Sequence, residues 1–103
     1  MNKVRDKEGF VINYQDWNRS LANTIAAEEG IRLDEAHWQI ISLVREFYEE
    51  FDLSPVNRTL VNYVKTRLGE EKGNSMYLLK LFPGSPAKLC AKIAGLPKPA
   101  NCL

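Results

Sequence analysis

Cys90 and Cys102 carry the most reactive side chains of this 103-residue sequence, and their surroundings give them different chemistry. Cys102 is next to last, reached through Gly95-Leu-Pro-Lys-Pro-Ala-Asn. Prolines at 97 and 99 forbid helix and keep this approach extended. Gly95 to Cys102 is seven steps, a reach of roughly 22 Å at about 3.1 Å per residue. With little apolar material to hold it, the segment from Leu96 onward is expected to be mobile or variably placed. A thiol on such an arm is suited to being touched by other molecules. Its ordinary pKa is about 8.5, so only a few per cent is thiolate at neutral pH. The neighbouring chain carboxylate raises that value and Lys98 opposes it, while no histidine or arginine lies near in sequence. A partner must supply the activating charge.

Cys90 reads differently. On a helix over 86–94, Leu89 and Ile93 share a face with Cys90 and Ala94 beside them, and Lys88 and Lys92 form an opposite stripe. Cys90 is then a small buried hydrophobe. One histidine and two separated cysteines cannot supply four zinc ligands, so neither a metal nor another cofactor is expected. The start, MNKVRDKEGF, is too charged for a signal peptide, and no apolar run approaches the roughly 20 residues of a membrane span. These features predict a cytoplasmic protein, where a structural disulfide is disfavoured.

The length suits one domain, 1–103, with one core. It is read as mainly α: an N-terminal β-hairpin (1–13), a helical core with a helix-turn-helix-like centre (14–94) and a mobile cysteine-bearing arm (95–103). The hairpin rests on Asp6-Lys7-Glu8-Gly9 as the turn and Phe10-Val11-Ile12 as strand formers. Five helices follow. The first is capped by Asp16 and stopped by Gly30; the second begins at Asp34 and repeats Trp38, Ile41, Phe47, Tyr48 and Phe51 at helical spacing. Ser54-Pro55 and Ser85-Pro86 both read as an N-cap followed by proline at the first helical position. Between them lie a helix ending at Gly69 and a short one over 75–82. Trp38, Ile41, Phe47, Tyr48, Leu60, Val64 and Leu78 are the expected core.

Charge is unevenly spread. From Lys72 onward there are five lysines and no acidic side chain, whereas residues 1–71 hold nine basic and 13 acidic ones. Glu46, Glu49, Glu50 and Asp52 crowd the end of the second helix, where its dipole disfavours them, and form either a neutral solvated face or an interaction surface. The turn at Asp52-Leu53-Ser54 raises DNA reading, with Asn57, Arg58, Asn62, Lys65 and Arg67 on the following helix. The acidic preceding helix argues against it.

The run KIAGLPKPxxC at Lys92–Cys102, EEKGNSxYL at 70–78, the His37-Trp38 pair and REFYxEF at 45–51 resemble the TusE/DsrC family of small sulfur-relay proteins. Members resembling DsrC, a sulfite-reductase partner, carry a second thiol eleven residues before the penultimate cysteine. That position is Ala91 here; Cys90 is one residue further, turned by about 100° on a helix. The pattern resembles the single-cysteine TusE branch. The resemblance implies a sulfurtransferase in which Cys102 accepts sulfane sulfur as a persulfide from a TusBCD-type donor complex. It would pass the sulfur to an MnmA-type thiouridylase with bound tRNA, for 2-thiouridine at the wobble position. Lys88, Lys92 and Lys98 would guide docking, with direct contact to tRNA left open. Two other readings compete: a DsrC-like thiol/disulfide switch between Cys90 and Cys102, and a helix-turn-helix module on nucleic acid.

Overall fold

Asp34 begins the longest helix by closing a capping box. Its Oδ1 accepts the backbone N–H groups of Ala36 (3.0 Å) and His37 (3.2 Å), and His37 Nδ1 closes the box, 3.2 Å from the Asp34 backbone nitrogen and 2.9 Å from its Oδ1. In the computed structural model, which describes residues 3–100, this helix is one of five. We label them α1 (Arg19–Glu28), α2 (Glu35–Phe51), α3 (Asn57–Leu68), α4 (Ser75–Leu81) and α5 (Pro86–Ile93). A short 3-10 turn, Tyr14–Asp16, precedes α1.

The expected N-terminal hairpin is not formed: among the described residues there is no strand, and a single antiparallel bridge joins Arg5 to Val11. Asp6 explains this. Its carboxylate accepts the N–H groups of Glu8 and Phe10 (2.9 Å each), so the turn binds to a side chain rather than extending a ladder. Phe10 and Val11 are also both buried, which breaks the in-out alternation of a strand.

Two caps differ from expectation. Asn18, not Asp16, caps α1, accepting from Leu21 N–H (2.8 Å); Asp16 belongs to the 3-10 turn before it. Ser54 does not cap α3, which begins three residues later with Val56 at the N-cap position. Its hydroxyl is turned toward the C-terminal segment instead.

The core predicted from helical spacing is largely present. Ile41, Phe47, Leu60, Val64 and Leu78 are buried, while Trp38 and Tyr48 pack against them half-buried. Burying each large aliphatic side chain contributes about 1.5–3 kcal/mol. The organising element is α5, which packs on α1, α2, α3 and α4. Its Ala87, Cys90 and Ala91 are small enough to let four helices approach one short one.

Candidate functional site

The end of α5 is where the cysteine-bearing arm leaves the core, and its backbone is satisfied carbonyl by carbonyl. Leu96 N–H donates to Ala91 O (2.9 Å) and Gly95 N–H to Lys92 O (3.4 Å), the two bonds of a Schellman ending, with Gly95 at φ +77°. Leu96, the apolar residue of that motif, is fully buried. This leaves the carbonyls of Ile93 and Ala94 without a partner from the helix itself. Trp17 Nε1 donates to Ile93 O (2.7 Å), and Arg45 Nη1 donates to Ala94 O (2.7 Å).

Arg45 is itself held. Its guanidinium lies 3.9 Å from the Trp17 ring centre and 4.1 Å from that of Tyr14. Tyr14 OH donates to Glu49 (2.6 Å), and its ring tilts against Tyr48. Burial pushes the Tyr14 hydroxyl up to about 12, with the Glu49 hydrogen bond adding to it. Partial burial draws the Arg45 guanidinium below its ordinary value. A third side chain reaches the arm further out: Ser54 Oγ donates to Pro97 O (2.5 Å). Pro97 and Ala100 also wall a groove of about 410 Å³ with Phe47, Leu53 and Val56.

The arm expected to be free from Leu96 onward is therefore anchored over its described part. Leu96 and Pro99 are buried, and Lys98 Nζ pairs with Glu8 (3.1 Å). Cys102, the predicted sulfur-bearing residue, lies outside the described residues.

Cys90 is fully buried on α5, and desolvation pushes its thiol well above the ordinary range. The three lysines do not form one free face. Lys92 Nζ pairs with Glu29 (2.8 Å) and Lys98 with Glu8, while Lys88 lines a cleft with Glu8, Glu29 and Lys92. On the would-be recognition helix, Asn57 Oδ1 accepts from Ala87 N–H (2.8 Å) and Arg67 stacks on Tyr63. Two of its five candidate base-reading side chains are thus engaged within the fold. Among the described residues, no cluster of three or more His, Cys, Asp or Glu side chains could hold a metal ion. No helix among them is long and apolar enough to cross a membrane.

Sequence reasoning missed Trp17, Arg45 and Ser54. The available signals were Arg45 as the one Lys or Arg in α2, and a glycine followed by Leu-Pro at the root of the arm.

The whole chain has relatives. The Sulfurtransferase TusE of Sodalis glossinidius is 54% identical over 98 residues, 95% of this chain and 91% of the relative. The Sulfurtransferase TusE homolog of Haemophilus influenzae is 51% identical, covering 95% and 90%. Among solved structures, DsrC of Allochromatium vinosum superposes with a TM-score of 0.87 at 45% identity, covering 96% of this chain and 88% of that one. The oxidized gamma-subunit of the dissimilatory sulfite reductase (DsrC) from Archaeoglobus fulgidus gives 0.81 at 35%, covering 99% and 94%. A family profile described as DsrC like protein matches residues 2–103, and the chain belongs to that family.

Proposed function

We propose that this protein is a cytoplasmic sulfurtransferase that carries sulfane sulfur as a persulfide on Cys102. The observation that carries the reading is the burial of Cys90: of two thiols, one is locked in the core and undissociated at neutral pH, which leaves Cys102 for chemistry. Likeness to the TusE sulfurtransferases over nearly the full chain supplies the reaction class.

In the transfer, the Cys102 thiolate attacks the outer sulfur of a donor cysteine persulfide. A bond forms between Cys102 Sγ and that sulfur, the donor's S–S bond breaks, and the donor leaves as its thiol. No oxidant or reductant is consumed, because the sulfane sulfur moves with its oxidation state unchanged. The Cys102 persulfide is a stronger acid and nucleophile than the parent thiol, so it is ready for hand-off. By the family resemblance the donor is a TusBCD-type complex and the acceptor an MnmA-type thiouridylase with bound tRNA. Of the candidate docking lysines, Lys88 forms no ion pair among the described residues. Lys92 and Lys98 would exchange Glu29 and Glu8 for acidic groups of a partner. The disulfide alternative needs Cys90 to leave the core, which places it second.

The test is transfer of labelled sulfur from the donor to this protein and on to tRNA. Cys102→Ser should lose all acceptance with an unchanged circular dichroism spectrum, since a hydroxyl forms no persulfide. Label carried at the wild-type rate by folded Cys102→Ser protein refutes the proposal.

A further inference from the structure

We infer that Trp17, Arg45 and Ser54 are positioning residues that aim the cysteine-bearing arm, so that sulfur hand-off to and from protein partners depends on them. The inference rests on the sulfur-carrier reading above. Three side chains from three separate parts of the fold converge on backbone carbonyls of one short segment. Trp17 precedes α1, Arg45 lies within α2 and Ser54 in the α2–α3 connection; they hold Ile93, Ala94 and Pro97 respectively. Pro97 is exposed, so water could satisfy its carbonyl, whereas Ile93 and Ala94 are fully buried and out of reach of bulk water. Each of the three receives a fixed donor, and the arginine is sandwiched between two aromatic rings that fix its plane.

Gly95 shows how close the clamp lies. A Cβ built there would fall 2.4 Å from Trp17 Cδ1 and 2.6 Å from Cγ, so the indole packs directly onto the backbone where the arm departs. Arg45 also brings a cation to the negative end of the α5 dipole. These restraints act on the described part of the arm, from its root at Ile93 out to Pro97. A short, aimed arm loses less conformational freedom on entering a partner's cleft than one hinged at Gly95.

The experiment uses the full chain and the variants Trp17→Phe, Arg45→Met, Arg45→Lys and Ser54→Ala, chosen to keep bulk in the clamp. Three readouts are taken on each. Backbone ¹⁵N relaxation reports order at the Leu96, Lys98 and Ala100 amides. Transfer rates are then measured from a persulfide-loaded TusBCD-type donor complex and from glutathione persulfide, a small donor that requires no docking. The expected result for Arg45→Met and Trp17→Phe is lower order at the three amides. Protein-donor kcat/KM should fall about tenfold, the scale of re-ordering one backbone residue on docking. The glutathione persulfide rate should stay within about twofold, because the reacting thiol is unaltered. Arg45→Lys, which keeps a donor for Ala94 O, should recover part of the loss. A merely stabilising role would lower melting temperature and leave the ratio of the two transfer rates unchanged. Unchanged order, or lost order with an unchanged rate ratio, overturns the inference. A wild-type chain that takes no sulfur from either donor sinks the carrier reading and the hand-off role together. The relaxation data still decide whether the three side chains hold the arm.

Discussion

Burial sets the chemistry of Cys90. A thiolate at Cys90 would have no solvent and no cation to stabilise it, so burial raises its pKa far from neutrality. Alkylation of the native protein at pH 8 should therefore label Cys102 alone, with a second label only after unfolding; mass spectrometry counts the additions. Two labels at equal rates on the folded protein would contradict the buried placement. Cys90→Ala should lower stability by about 1–2 kcal/mol, the cost of a small cavity, and leave sulfur acceptance intact. The burial of Cys90 was legible from its neighbours on a helical face, because i, i+3 and i+4 spacing is a local property. The state of the lysines was not. Lys92 and Lys98 find Glu29 and Glu8 at separations of 63 and 90 residues, and no local pattern carries that information.

Helix positions followed from periodicity, and helix starts were legible only where the local cap had no competitor. Asp34 is such a case: its carboxylate serves Ala36 and His37 and nothing else. At Ser54 the same residue type loses its local role, because its hydroxyl has a distant carbonyl within reach at Pro97. The expected hairpin is absent for a related reason, since the Asp6 carboxylate takes the Phe10 amide that a second strand would have needed. The caps make a pH prediction. The His37 side chain, then its backbone N–H, hold the Asp34 carboxyl below its usual range, and the hydrogen bond from Arg5 does the same for Glu28. Both carboxyls bind protons less tightly folded than unfolded. Their stabilisation is thus complete above the ordinary carboxylate range and lost as pH falls through the lowered values. The melting temperature should decline from about pH 5 downward. In Asp34→Asn, which keeps a neutral cap, that decline should be shallower. An identical acid slope would show that Asp34 is not among the titrating groups. Added salt should weaken the exposed Arg5–Glu28 pair, which is 2.8 Å long.

At the scale of the whole molecule, α5 ties the packing of four helices to the geometry of the arm, and Gly95 is the joint between the two. Its substitution should report on both at once. Gly84 and Gly95 each have positive φ, +94° and +77°, so alanine at either site takes on a left-handed backbone cost of about 1–2 kcal/mol. Their surroundings differ. A Cβ at Gly84 meets nothing within 4 Å, whereas one at Gly95 overlaps Trp17 at three atoms. The indole cannot retreat without giving up its bond to Ile93 O and its stack with Arg45. Gly95→Ala should therefore lose about 2 kcal/mol more than Gly84→Ala in urea denaturation, in line with overpacking elsewhere. Because α5 contacts α1, α2, α3 and α4, unfolding should remain a single transition with an unchanged m-value, not a local release of the arm. Adding Trp17→Ala to Gly95→Ala provides the internal control. With the indole gone the clash disappears, so the double variant should be more stable than the sum of its two single losses predicts. Equal losses at Gly84 and Gly95, or strict additivity in the double variant, would mean that Trp17 does not press on the root of the arm.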